Sequence, residues 1–205
     1  MFVGRLNLTV APVRQNKRMP SWPSFVSEWG STAAERADTY PCDGLLPAPE
    51  TTLFRAVDVE APAAVSFRWF CQLRAAPYSY DLLDNFGRRS PRQLTPGLER
   101  LEAGQRVMTI FRLAEFEPGR SLTVVSRSRA LGDVACTYRA DPGAGGTSRI
   151  VLKILARFPR GLRGEAMRLL LPPGDLVMAR RQLLNLKRLA ERSPATPADA
   201  AAPPG

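Results

Sequence analysis

Four consecutive segments between Gln105 and Arg157 carry apolar side chains at every second position, with only short turns between them. That period fits extended strands and not helices. In Gln105–Glu117, Val107, Phe111 and Leu113 share one parity while Met108, Ile110 and Phe116 share the other. One long strand covered on both faces is the expectation there. Pro118-Gly119 turns the chain into a strand over Leu122–Arg127. Val134, Cys136 and Tyr138 then alternate with Ala135, Thr137 and Arg139, and the glycine-rich run Asp141–Ser148 closes a hairpin onto Ile150, Leu152, Ile154 and Ala156. Turns this short join antiparallel neighbours, so the segments form a meander.

Helices flank this meander. Leu53–Glu60 reads as a strand, with Val57 and Val59 alternating with Asp58 and Glu60. Arg55 has the parity of the valines, so it either points a charge inward or lies near an end. Pro62 opens a helix whose Val65, Trp69 and Leu73 recur every four residues, and Pro77 stops it. Near the C-terminus, Leu162–Leu171 reads as a short helix cut off by Pro172-Pro173. Gly174–Arg192 reads as a longer one, with Leu176, Ala179, Leu183, Leu186 and Ala190 on an apolar stripe and Asp175 near its start, where it suits the helix dipole. The order strand, helix, meander, helix predicts an α+β fold in which a curved antiparallel sheet is closed by the long C-terminal helix.

Composition sets the domain organisation. The chain has 205 residues, 44% of them hydrophobic, enough for one domain with a substantial core. Its prolines cluster toward both ends. Residues 1–50 are expected to be a largely irregular N-terminal arm, 51–193 the folded domain, and 194–205 a Pro/Ala-rich disordered tail. Trp22, Phe25 and Trp29 either pack the arm onto the domain or serve a partner. Met19 is an alternative to Met1 as the expected initiator, since the residues before it match no clear element.

Of the 29 basic residues, all but Lys17, Lys153 and Lys187 are arginines, and the net charge is +10. Between Arg149 and Arg192 the basic residues face only Glu165, Asp175 and Glu191. Such a field attracts polyanions, or is simply a solvated arginine-rich surface. The stretch lacks the interleaved aromatics that stack bases, so no specific nucleic acid is expected. A transient contact with an anionic membrane is an alternative use of the basic helix.

The chain holds no histidine, which removes Ser-His-Asp and Cys-His nucleophile systems and the commonest transition-metal ligand. Cys42, Cys71 and Cys136 are far apart in sequence and odd in number, which fits neither a metal motif nor a disulfide framework. No metal and no cofactor is expected. No run approaches the roughly 18 apolar residues of a membrane span, and the N-terminus lacks the apolar stretch of a secretory signal. A cytoplasmic location follows as the expectation.

The densest chemistry lies in Ala75–Arg92, AAPYSYDLLDNFGRRSPR. Tyr78, Tyr80, Asp81, Asp84, Asn85, Arg88 and Arg89 could orient the polar end of a ligand. Equally, they could cap a short helix, shape a turn and pair with one another.

Together these residues resemble a known family. The strand-to-helix passage RAVDVEAPAAVSFRWFCQL, the following PYSYDLLDNFGR, the EAGQRV entry into a central strand, the EPGRSLTVV turn and the amphipathic C-terminal helix are similar to the START and polyketide cyclase/dehydrase-like superfamily (SRPBCC), over about Leu53–Arg192. The resemblance implies a helix-grip fold with a deep apolar cavity under the last helix, used for lipids, aromatic polyketides or other hydrophobic small molecules. The arm has no counterpart in the minimal domain.

The expected function is therefore non-catalytic binding or carriage of a hydrophobic small molecule. Phe111, Val134, Tyr138 and Ile154 are expected to line the cavity, with Trp69 at one wall. Tyr80, Asp81, Asn85 and Arg88 would make its polar end. One alternative is a cyclase/dehydratase-type enzyme using Asp81 or a tyrosine as acid or base. Another is a protein-interaction module using the arm.

Overall fold

The computed structural model describes residues 22–80 and 87–194. Six strands form one antiparallel sheet: β1 (Thr51–Val59), β2 (Arg106–Val107), β3 (Phe111–Glu117), β4 (Ser121–Ser128), β5 (Gly132–Pro142) and β6 (Ser148–Arg157). Their spatial order is β1-β6-β5-β4-β3-β2, so β2 through β6 run as the expected meander and β1 joins β6 at the far edge. In register, Cys136 lies opposite Ile154 and Tyr138 opposite Leu152. These four side chains therefore share one face of the sheet.

That face is gripped by two helices. Helix α4 (Ala63–Cys71) starts after Pro62 and buries Val65, Trp69 and Phe70, with Leu73 buried just beyond its end. Helix α5 (Leu162–Arg192) crosses the sheet and buries Ala179, Leu183, Leu186 and Ala190. The expected break at Pro172-Pro173 does not occur: both prolines sit inside one 31-residue helix. Each removes one N–H donor, but the fixed φ of proline is itself helical. Pro172 is buried, so packing holds the helix through the gap.

The long strand expected over Gln105–Glu117 is instead two pieces. Met108 takes a left-handed backbone (φ 50°) and donates its N–H to the Leu73 carbonyl at 2.8 Å, folding β2 back onto β3. Most of β3 is partly or fully exposed rather than covered on both faces. The two-sided cover falls on β1, β4, β5 and β6 instead.

The chain before β1 supplies the second cover. Three short helices, α1 (Ser24–Ser27), α2 (Ala33–Ala37) and α3 (Pro41–Leu45), occur in it. Tyr40, Cys42 and Leu46 are buried against Phe54, Ala56, Ala135, Val151 and Leu155 on the outer face of the sheet. Lys153 on that face is 2.7 Å from Asp43, and Arg149 is 2.7 Å from Glu35. The Trp29 carbonyl accepts the Ala56 N–H at 3.0 Å, so the arm also occupies the free edge of β1. Gly30 is required there: a Cβ would lie 2.1 Å from the Ala56 carbonyl oxygen. Trp29 packs partly buried against the main core, whereas Phe25 is exposed.

Candidate functional site

A cleft of about 610 Å³ opens between the sheet and α5. The sheet contributes Phe111, Val134, Cys136, Tyr138, Leu152 and Ile154, all consequences of period-two alternation on β3, β5 and β6. The β2–β3 turn adds Met108, Thr109 and Ile110. Helix α5 contributes Leu171, Asp175, Met178, Ala179 and Gln182, which follow one another at four-, three- and one-residue steps along its inner face. The wall is mostly apolar, with Tyr138, Asp175 and Gln182 as its larger polar side chains beside Ser79 and Thr109.

Tyr138 and Gln182 are tied together. Tyr138 Oη donates to Gln182 Oε1 at 2.8 Å, and Gln182 Nε2 donates to the Pro77 carbonyl at 2.5 Å. Asn185, one turn further along α5, donates to the Tyr78 carbonyl at 2.8 Å. Thus α5 is pinned to the loop after α4 by side-chain amides. Asp175 Oδ2 lies 2.8 Å from Arg55 Nη2, and Arg55 is fully buried while the Asp175 side chain keeps 19% of its surface. Arg55 Nη1 donates to the Phe54 carbonyl at 2.8 Å. Of the two sequence readings of Arg55, the inward-pointing charge is the one found. Asp175 is not near a helix start, as the dipole reading had it; it sits in mid-helix, facing the cleft.

Burial pushes the Asp175 carboxyl up to about 6, and the adjacent Arg55 guanidinium pulls against that rise. Burial holds the Tyr138 phenol well above its ordinary range, with Cys136 and Asp175 adding to the effect and the Gln182 hydrogen bond opposing it. The Cys136 thiol is likewise raised well above its usual value by burial, then by Asp175. The site therefore holds a neutral phenol, a neutral thiol and a carboxyl that changes protonation near neutrality. Among the described residues no three His, Cys, Asp or Glu side chains come together to hold a metal.

Of the residues singled out in the sequence, Phe111, Val134, Tyr138 and Ile154 face this one cleft. Trp69 does not line it. The inward phase of α4 carries Trp69 into the core under the C-terminal end of α5, edge-on to Tyr78 at 5.9 Å, with Nε1 donating to Ser193 Oγ at 3.0 Å. Tyr80 lies in a second cleft of about 730 Å³ beside α5, with Arg181 stacked 5.9 Å from its ring centre. Arg88 is exposed and lines neither. Asp81 and Asn85 lie outside the described residues.

Sequence reasoning missed Asp175, Met178 and Gln182. Taking the paired prolines as a helix end placed Asp175 near a helix start, where it suits the dipole, and hid the stripe that continues through them. Extending the three- and four-residue spacing back from Gln182 to Leu171 would have found it.

No family model matches the chain, and no curated protein matches it. Among solved structures, the Zhui aromatase/cyclase from Streptomyces sp. R1128 is similar at 17% identity and a TM-score of 0.45, covering 69% of this chain and 93% of that one. Protein CV1439 from Chromobacterium violaceum is similar at 16% identity and a TM-score of 0.46, covering 69% and 98%. The di-domain ARO/CYC BexL from the BE-7585A biosynthetic pathway is similar at 15% identity and a TM-score of 0.47; the match covers 68% of this chain and 46% of BexL. In architecture the chain is a helix-grip protein: among the described residues a six-stranded antiparallel sheet is closed by one long C-terminal helix.

Proposed function

We propose that the chain binds and carries a hydrophobic small molecule, lipid or aromatic, in the cleft under α5. The observation that supports this reading is the cleft itself: about 610 Å³ of space walled by apolar side chains, with Asp175, Tyr138 and Gln182 grouped on it. That volume is within the usual range for small-molecule sites. Burying about 200 Å² of apolar ligand surface contributes roughly 5 kcal/mol before association costs. Affinity comes from apolar fit. Selectivity comes from hydrogen bonds to Asp175 and Tyr138, which suit a ligand hydroxyl or enol better than a bare hydrocarbon. Native mass spectrometry of protein purified from its host tests the reading: a co-purifying hydrophobic molecule supports it. Absence of any such molecule, together with no rise in melting temperature from a lipid and aromatic panel, overturns it.

One observation favours a second reading, a cyclase/dehydratase-type reaction. A carboxyl pushed up to about 6 in an apolar cleft is tuned for proton transfer near neutral pH. In that reading Asp175 takes the acid–base role, with Tyr138 close enough for its own ionisation to be raised by Asp175. Turnover of a polyketide-like carbonyl compound that Asp175→Asn abolishes, while binding persists, would establish it.

A further inference from the structure

The inner face of α5 is buried as expected, but its outer face carries a second pattern that closing the sheet does not use. Leu162, Leu169, Leu170 and Val177 are 90%, 50%, 65% and 54% exposed. Four large apolar side chains lie within a sector of about 100° along about four turns of the helix, so they form a strip, not scattered exceptions. The strip flanks the cleft side of the helix: Leu170 and Val177 are each one residue, about 100° of helix, from the lining residues Leu171 and Met178, and the cleft's own Ile110 is 52% exposed.

Arginines bracket the patch. Arg160 and Arg163 stand exposed at one end and Arg180 and Arg181 at the other. Arg163, Leu170 and Val177 succeed one another at seven-residue steps, and Arg181 and Arg188 continue that line along the helix. Beside it, Arg92, Arg181, Arg188 and Arg192 converge on the second cleft, and no acidic residue lines it among the described residues. An apolar strip with cationic margins matches the acyl boundary and the anionic headgroups of a bilayer. A second copy of the chain would bring like charges together across the same patch.

We propose that the outer face of α5 docks on anionic phospholipid bilayers, bringing the cleft mouth to the membrane surface. The docking does not depend on the cleft's ligand, so it stands or falls separately from the binding reading above. The test uses the full chain and sedimentation with vesicles of phosphatidylcholine alone or containing phosphatidylglycerol. The expected result is partition onto the anionic vesicles at least about tenfold stronger than onto the neutral ones, weakening with salt. Leu170→Ser with Val177→Ser should lower that partition about tenfold, and Arg181→Gln with Arg188→Gln should abolish the preference for phosphatidylglycerol. All four positions are exposed, so circular dichroism should show the fold intact. Equal partition on both vesicle types, or partition indifferent to both pairs of substitutions, overturns the proposal. So does a dimer in analytical ultracentrifugation that the leucine–valine pair of substitutions dissolves.

Discussion

Arg55 Nη2 and Asp175 Oδ2 lie 2.8 Å apart inside the grip of the fold, joining the edge strand β1 to the middle of α5. Yet the Asp175 carboxyl is raised, to about 6, rather than lowered. Desolvation therefore outweighs the attraction of a guanidinium in direct contact. An ion pair of this kind locates α5 on the sheet more than it stabilises the fold.

Removing one partner should accordingly be much worse than removing both. Arg55→Met or Asp175→Leu alone leaves a buried uncompensated charge and should cost about 3–5 kcal/mol in denaturant unfolding. The double substitution should recover most of that loss. If the double variant is as unstable as the sum of the singles, the pair is not coupled as described.

The same carboxyl predicts a pH dependence with a definite sign. Asp175 binds its proton more tightly folded than unfolded, so its contribution to stability is present below the ordinary carboxylate range. It is lost as pH rises through about 6. Glu35, Asp38 and Glu191 are shifted down by their ion-pair and backbone hydrogen bonds and act in the opposite direction, but below their usual values near pH 4. Between pH 4.5 and 6 the wild-type protein should therefore lose stability relative to Asp175→Asn as pH rises. A relative gain over that window contradicts the assignment.

The three cysteines give a simpler check. Burial pushes Cys42 up to about 11, Cys71 up to about 12, and Cys136 well above its usual range. Thiol-reactive dye at pH 8 should label the native protein at least about a hundredfold more slowly than the unfolded chain. One rapidly labelled thiol in the native state would show a cysteine more accessible than described.

The arm before β1 behaves as part of the domain. Tyr40 is 1% exposed, packs edge-on to Phe54 at 6.0 Å, and lies under Arg139 and Lys153 at 4.4 and 4.9 Å. Tyr40→Ala should cost about 3–4 kcal/mol. It should leave affinity at the cleft unchanged, because Tyr40 sits on the opposite face of the sheet. A large loss of binding at unchanged stability would place the arm in the site.

Much of this architecture was legible in the residues. Alternation set β4, β5 and β6 to within a few positions, and it put Val134, Tyr138 and Ile154 on one face because a strand's parity survives any tertiary context. What was not legible came from places where context overrides local preference. Met108 adopts a backbone that its side chain disfavours, so a strand pattern became a hairpin. Pro172 and Pro173 stay helical, with Pro172 packed in the interior. Trp69 had a periodicity that fixed its helix face but not the element that face would meet. Buried Arg55 and Asp175 were each readable as charged, but their pairing spans 120 residues of chain and needs the fold to reveal it.

The central claim is that the space between sheet and α5 is a ligand site. Binding of a hydrophobic probe dye tests it most directly, measured on the wild-type protein and on Val134→Trp, which fills the cleft. The wild type should bind one equivalent saturably, and Val134→Trp should lose at least about tenfold in affinity while keeping its secondary structure. Unchanged affinity in Val134→Trp, or no saturable binding by the wild type, would contradict it.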